Sequence, residues 1–461
     1  MSETTTIVQA YDGEPIRELE LQDWPAVDAM LDRAARLHRD KPQGLTAFER
    51  RDILKRLVEL MKPEAEDFAQ LIAREGGKPL TDARIEVARA INGVELAIEE
   101  MGRMGGSQIP MDLTPAGAGR TAFTFREPIG PVVAVSAFNH PLNLIVHQVV
   151  PAIATGCPVI IKPADPTPLS CLKFVELVHD AGLDEAWCQF CLCPIPVAEQ
   201  LVTDPRVAFF SFIGSARVGW SLRSKLAPGT RCVLEHGGVA PVIVAADADL
   251  DAMVPLLVKG GTYHAGQVCV SVQRVFADER IKADLTDALT QHLADLVTGD
   301  PSDAATDVGP LIRTGEVDRV ESWVAEAVAG GAVCMLGGER LSDRVYAPTL
   351  LVNPPADSRI STEEVFGPMI NVYGYDDESE AVARANSLPV SFQAAVFTRD
   401  VERAMRLSRT LAAAAVMVND HTAFRVDWMP FAGRRTSGLG TGGILYTMED
   451  MAPEKLVVIK G

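Results

Sequence analysis

The chain has 461 residues, 47% of them hydrophobic and 23% charged. That is a globular balance, which excludes a wholly disordered, collagen-like or coiled-coil chain, and the length allows about three domains. Lys and Arg number 43 against 62 Asp and Glu, a formal charge of −19. A surface this acidic repels phosphate backbones, so nucleic acid is not expected as a partner.

The first twenty residues are polar and acidic and lack an apolar signal core. Residues 21–102 read as helices, with apolar positions at three- and four-residue spacing over 47–60, 64–75 and 85–101. From Pro128 the pattern changes. A strand is expected over 132–138, a helix over 144–154, the strand Val159–Lys162, a helix over 169–181, a strand over 207–213 and a helix from 216. The uncharged run 142–161 is long enough to span a bilayer. It contains Asn143, His147, Gln148, Pro151 and Pro158, however, and reads as a buried helix, a turn and a buried strand. Eight cysteines in this length do not make a disulfide scaffold, so the cytoplasm is the default compartment. Cys188, Cys191 and Cys193 read as buried thiols near a strand rather than as a metal cluster, because no second cluster matches them.

A second alternating block begins near Val239. It comprises strands Pro241–Val244, 274–277, Val333–Leu336, Met369–Tyr375 and 394–398, with helices over 247–259, 281–296 and 316–329. Strand–helix alternation implies parallel sheets covered by helices. Residues Arg120–Arg126 and 455–459 read as strands detached from either core. The fold class is α/β, with two α/β domains and a small β element.

Four features carry chemistry. Gly266-Gln267-Val268-Cys269-Val270 sets a cysteine in a glycine-led turn, where a thiolate is a nucleophile if its pKa is lowered. Val233-Leu234-Glu235-His236-Gly237-Gly238 puts an acid at a strand end beside two glycines, where it can reach a water as general base. Ser136-Ala137-Phe138-Asn139 ends a strand in an amide suited to holding an oxyanion. Phe212-Ile213-Gly214-Ser215 leads a strand into a helix N-terminus that offers N–H groups to a phosphate. Lys162 and Asp165 end another strand at the height expected for a ribose, and Glu363-Glu364-Val365-Phe366-Gly367-Pro368 follows later.

In that order these motifs resemble the aldehyde dehydrogenase superfamily, over residues from about 20 to 461. The resemblance implies a Rossmann-like NAD(P)-binding domain (1–117 and 128–238), a catalytic domain (239–443) and a β oligomerisation element (118–127 and 444–461). It implies Cys269 as nucleophile, Asn139 with the Cys269 N–H as oxyanion hole, and Glu235 as the base that hydrolyses the thioester. Cofactor contacts fall on Lys162, Asp165, Gly214, Ser215, Glu364 and Phe366. Asp165 favours NAD, with NADP as the alternative, and no metal is implied. A homodimer or homotetramer is implied, the terminal strand of one subunit joining the sheet of another.

Departures from the family pattern are His264, His236, Gln148 in place of a lysine, and Gly442 in place of a second glutamate. At the substrate end stand His140, Asn143, His147, Arg425 and Phe431, with Trp428 beside Phe431 as an apolar wall. They suggest a short, polar aldehyde, anionic if Arg425 meets it, as in the lactaldehyde and phosphonoacetaldehyde subgroups. The plainer alternative pairs Arg425 with Asp427 or another acid, away from substrate. The rival functions are a coenzyme A-acylating dehydrogenase, which the presence of Glu235 argues against, and a binding protein without turnover.

Overall fold

The computed structural model describes residues 3–39 and 44–461. Four helices open the first lobe: Trp24–Arg39, Ala47–Met61, Ala65–Gly76 and Leu80–Glu100. The second starts on a reciprocal cap, with Glu49 N–H donating to Thr46 Oγ1 at 3.2 Å and Thr46 N–H to Glu49 Oε2 at 2.7 Å. These helices pack against a six-stranded sheet. Its order is Gly438–Leu439, Arg231–Glu235, Phe209–Ile213, Val132–Val135, Val159–Lys162 and Cys188–Phe190. All neighbours are parallel except the first pair.

Chain order reverses direction between Val132–Val135 and Phe209–Ile213. The carboxyl edge at such a switch point is where doubly wound sheets bind ligands. Register brings Val135 level with Lys162 and Phe212, and Ile213 level with Glu235. The segments after these strands therefore share one rim.

The uncharged run 142–161 forms the buried helix Asn143–Thr155, which ends at Gly156 with φ +83°, and the buried strand Val159–Lys162. Among the described residues no helix is long and apolar enough to cross a membrane. The second lobe is a seven-stranded sheet in the order Val333–Leu336, Thr349–Val352, Met369–Tyr375, Arg274–Asp278, Pro241–Val244, Gln393–Phe397 and Ala415–Val418. Only its outermost first pair is antiparallel.

Several expectations are corrected. The strand expected over 132–138 stops at Val135, and residues 136–138 leave the sheet to carry Asn139 outward. An N-terminal hairpin, Thr4–Val8 with Pro15–Glu20, precedes the helices. Gly438–Leu439, expected in the catalytic domain, extends the first sheet beside Arg231–Glu235. Helix Ile444–Met451, expected in the β element, buries Ile444, Met448 and Met451 in the core of the first lobe. The terminal strand Glu454–Lys460 pairs along its length with Arg120–Arg126 of the same chain, and it forms the outer edge of that three-stranded sheet. Cys188, Cys191 and Cys193 are buried thiols, with Cys191 and Cys193 Sγ 3.7 Å apart.

Candidate active site

A cavity of about 700 Å³ opens along the carboxyl rim between the lobes. Asn139, Glu235 and Cys269 all line it, and so do Gly214, Ser215, Glu364 and Phe366. Gly238 N–H donates to the Cys269 carbonyl at 3.1 Å, which ties the glutamate strand to the cysteine turn.

The turn before Cys269 is tightly wound. His264, Ala265 and Gly266 are left-handed in succession, with φ of +49°, +53° and +69°. A Cβ at Gly266 would lie 1.9 Å from the Gly367 carbonyl oxygen, so this close approach admits only glycine. The Gln267 side chain pins the turn from both ends: its Nε2 donates to Pro310 O at 3.1 Å, and its Oε1 accepts from Ile312 N–H at 2.9 Å. Its carbonyl accepts from Asn139 Nδ2 at 2.9 Å, which leaves the second amide hydrogen of Asn139 uncommitted. The Cys269 N–H donates to no backbone carbonyl among the described residues. These are the two donors that an oxyanion beside Cys269 would need.

Burial, then Glu364 and more weakly Glu235, push the Cys269 thiol well above its ordinary range, while Arg425 pulls it down. Burial also raises Glu235, again opposed by Arg425. Gly442 makes room for Glu235: a Cβ there would stand 2.0 Å from Glu235 Oε1.

On the other side, Ser215 caps helix Ala216–Arg223 without a side-chain bond to it, which leaves the Ala216 and Arg217 N–H groups without an intrahelical partner at the cavity wall. Glu364 Oε1 is buried without a hydrogen-bond partner, and burial pushes this carboxyl up to about 8. Phe366 adopts φ +49° and meets Phe138 edge-on, with ring centroids 5.8 Å apart. Orphaned polar atoms and an open helix terminus fit a dinucleotide. Of the expected cofactor contacts, Lys162 and Asp165 do not line the cavity: they flank its lining residue Ala164, Lys162 buried and Asp165 exposed, and are paired at 2.5 Å.

At the substrate end, His140, Asn143, Arg425 and Phe431 line the cavity. Burial, then Lys78 and Arg89, hold His140 well below the usual histidine range, so it is neutral. Arg425 stacks on Phe431 at 3.7 Å from the ring centroid, and its Nε is buried without a hydrogen-bond partner. Its expected alternative partner is taken. Asp427 accepts from Arg89 Nε (2.9 Å) and Nη2 (2.7 Å), from Asn143 Nδ2 (3.2 Å) and from His147 Nε2 (2.8 Å).

Two expected pocket residues are corrected here. His147 sits behind the lining, buried against Asp427. Trp428 is 63% exposed and outside the cavity. Gln148 faces the sheet, donating to Ser211 Oγ at 3.0 Å, and does not line the cavity. His236 turns its Nδ1 to the Gly214 carbonyl at 2.8 Å. His264 is fully buried, with neither ring nitrogen hydrogen-bonded.

Sequence reasoning missed Arg89, which lines the cavity from helix Leu80–Glu100. It also missed Glu86, whose Oε1 accepts from Leu142 and Asn143 N–H at 2.9 and 3.0 Å and caps the helix carrying Asn143. Buried Lys78 pairs with the other oxygen of Glu86. The only local signal was their charge within an otherwise apolar helical pattern.

The model of the aldehyde dehydrogenase family matches residues 1–457. The 3-sulfolactaldehyde dehydrogenase of Priestia aryabhattai is 36% identical, with 99% of this chain and 95% of the relative covered. The structure of aldehyde dehydrogenase 21 from Physcomitrella patens, in complex with the reaction product succinate, superposes with a TM-score of 0.96 at 33% identity, covering 100% of this chain and 95% of that one. Glyceraldehyde-3-phosphate dehydrogenase from Methanocaldococcus jannaschii, complexed with NADP, gives 0.95 at 32% identity, with 100% of both chains covered. With the whole length matched and a cysteine, a glutamate and an asparagine gathered on one rim, the chain belongs to the aldehyde dehydrogenase family and is an NAD(P)-dependent aldehyde oxidoreductase.

Proposed function

We propose that the chain oxidises a short aldehyde with an anionic head group to its carboxylic acid, with NAD as acceptor and NADP as the alternative. The observation that carries the head group is Arg425. It lines the cavity near Cys269 and Glu235, and no carboxylate lies within ion-pair distance of it among the described residues. Similarity to the 3-sulfolactaldehyde dehydrogenase supports the same reading.

Cys269 loses its proton to solvent through the open cavity, and Sγ bonds to the aldehyde carbon. The carbonyl oxygen becomes an oxyanion held by Asn139 Nδ2–H and the Cys269 N–H, a donor there being worth about 3–4 kcal/mol. A dinucleotide held in this cavity would supply the hydride acceptor that turns the thiohemiacetal into a thioester. Lys162 and Asp165 would hold its adenosine ribose, Gly214 and Ser215 its pyrophosphate, and Glu364 and Phe366 its nicotinamide end. Glu235 then takes a proton from water, the water oxygen bonds to the thioester carbon, the C–S bond breaks, Glu235 returns the proton to Sγ, and the acid leaves. The first lobe would supply Lys162, Asp165, Gly214 and Ser215 to the cofactor, and the second lobe Glu364, Phe366 and the nucleophile Cys269. The exposed edge of Glu454–Lys460 supports a homodimer or homotetramer, and the reading is of a cytoplasmic enzyme.

The test is NADH formation without coenzyme A, across neutral, carboxylated and sulfonated aldehydes of equal length. An Arg425→Ala variant is expected to raise KM about tenfold or more for the anionic members alone. Equal loss for neutral partners refutes the head-group reading. Silence that only coenzyme A relieves refutes hydrolysis.

A further inference from the structure

We infer that Asp427 sets the charge of the head group, selecting a monoanion such as a carboxylate or sulfonate over a dianion such as a phosphate. This rests on the anionic-aldehyde reading above.

Asp427 is 2% exposed, and its carboxylate accepts four hydrogen bonds from two helices. With that many donors it stays ionised, and no hydrogen bond or ion pair joins it to Arg425, two residues away. Arg89 spends two of its five N–H bonds on Asp427, and the other three remain on a side chain that lines the cavity. This wall thus holds two guanidiniums against one carboxylate, a single net positive charge.

No other group facing it changes that balance upward. His147, pushed down to about 4 chiefly by burial, is neutral, and so is His140. Lys78 is matched by Glu86. Glu235 faces Arg425 from the strand end, and any charge it carries subtracts further. At most one net positive charge is therefore left to meet the substrate, enough for a monoanion. A dianion brings a second charge into a desolvated wall with no cation left to meet it, and an unpaired buried charge is costly. An acid that served only to anchor the loop would hold Arg89 equally well but would not discriminate between substrate charges.

Two measurements test this. In the unaltered enzyme, KM for a phosphorylated aldehyde, relative to a sulfonated one of equal length, is expected to rise several-fold as its second proton leaves near pH 6. A ratio flat across that range overturns the inference. In Asp427→Asn the wall gains a charge, and kcat/KM for the dianion relative to the monoanion is expected to rise roughly tenfold. Adding Arg89→Gln removes that charge again and returns the ratio toward its starting value. General damage would lower both substrates alike, with no return in the double variant. An unchanged ratio in Asp427→Asn, with anionic aldehydes still preferred over neutral ones, overturns this inference alone. Absence of any anion preference in the unaltered enzyme overturns both readings.

Discussion

Replacing Gly442 with alanine tests the role of Glu235 without touching it. Gly442 and Phe431 exchange backbone hydrogen bonds of 2.7 and 3.0 Å, so the segment is held in place. Gly442 is not among the left-handed glycines, and its backbone accepts an alanine. The added Cβ would lie 2.0 Å from Glu235 Oε1 and 2.8 Å from its Cδ. Ordinary contact is about 3.5 Å, so the carboxylate must withdraw by more than about 1 Å. The glutamate side chain gives most of the way, and the Phe431 carbonyl oxygen, 3.1 Å from the added Cβ, gives by a few tenths of an ångström. A displacement of that size costs a positioned base about a hundredfold, or about 2.7 kcal/mol, in the step it serves. If that step is thioester hydrolysis, rapid mixing of Gly442→Ala with aldehyde and NAD should release about one NADH per site and then slow to a hundredth of the parent rate. The acyl group should remain on Cys269 by mass spectrometry. Turnover within about twofold of the parent, or slow turnover with no burst, refutes the assignment.

Arg425→Ala should also make Cys269 less reactive, because Arg425 draws the thiol pKa down; alkylation by iodoacetamide is expected to need a higher pH, and an unmoved profile counts against the coupling. His147 is neutral in the fold because burial holds it down at about 4, against 6.5 when free. Its contribution is therefore complete above pH 6.5 and is lost as pH falls toward 4, by up to about 3 kcal/mol. Urea midpoints of His147→Gln should fall less over that window than those of the parent, and parallel curves would contradict this. Met448, fully buried in the first lobe, should cost about 2–5 kcal/mol when cut to alanine. A loss confined to subunit association, with the monomer's unfolding unchanged, would return helix Ile444–Met451 to an interface.

The sequence by itself determined the central strands and the reacting group. Val159–Lys162, Pro241–Val244, Val333–Leu336 and Met369–Tyr375 begin and end where expected. Val159–Lys162 is buried from end to end, and Pro241–Val244 and Met369–Tyr375 are each buried but for one residue; such largely apolar runs beside Gly or Pro have few alternatives. Cys269, Glu235 and Asn139 were legible because their side-chain chemistry and their order along the chain form one pattern. The N-terminal hairpin was missed, although the run Thr4-Thr5-Thr6-Ile7-Val8 and the turn at Asp12-Gly13 signal it. Only the tertiary structure decided which charged side chain meets which. Arg425 and Asp427 are two residues apart and equally suited to pair with each other. The partner that takes Asp427 is Arg89, 338 positions earlier, joined there by His147 from a third element. His140 and His147 stand on the same stretch of chain, yet one lines the cavity and the other lies behind it. Local pattern cannot rank these partners, because a buried carboxylate takes the donors that the packed helices present to it, and those come from segments far apart in sequence.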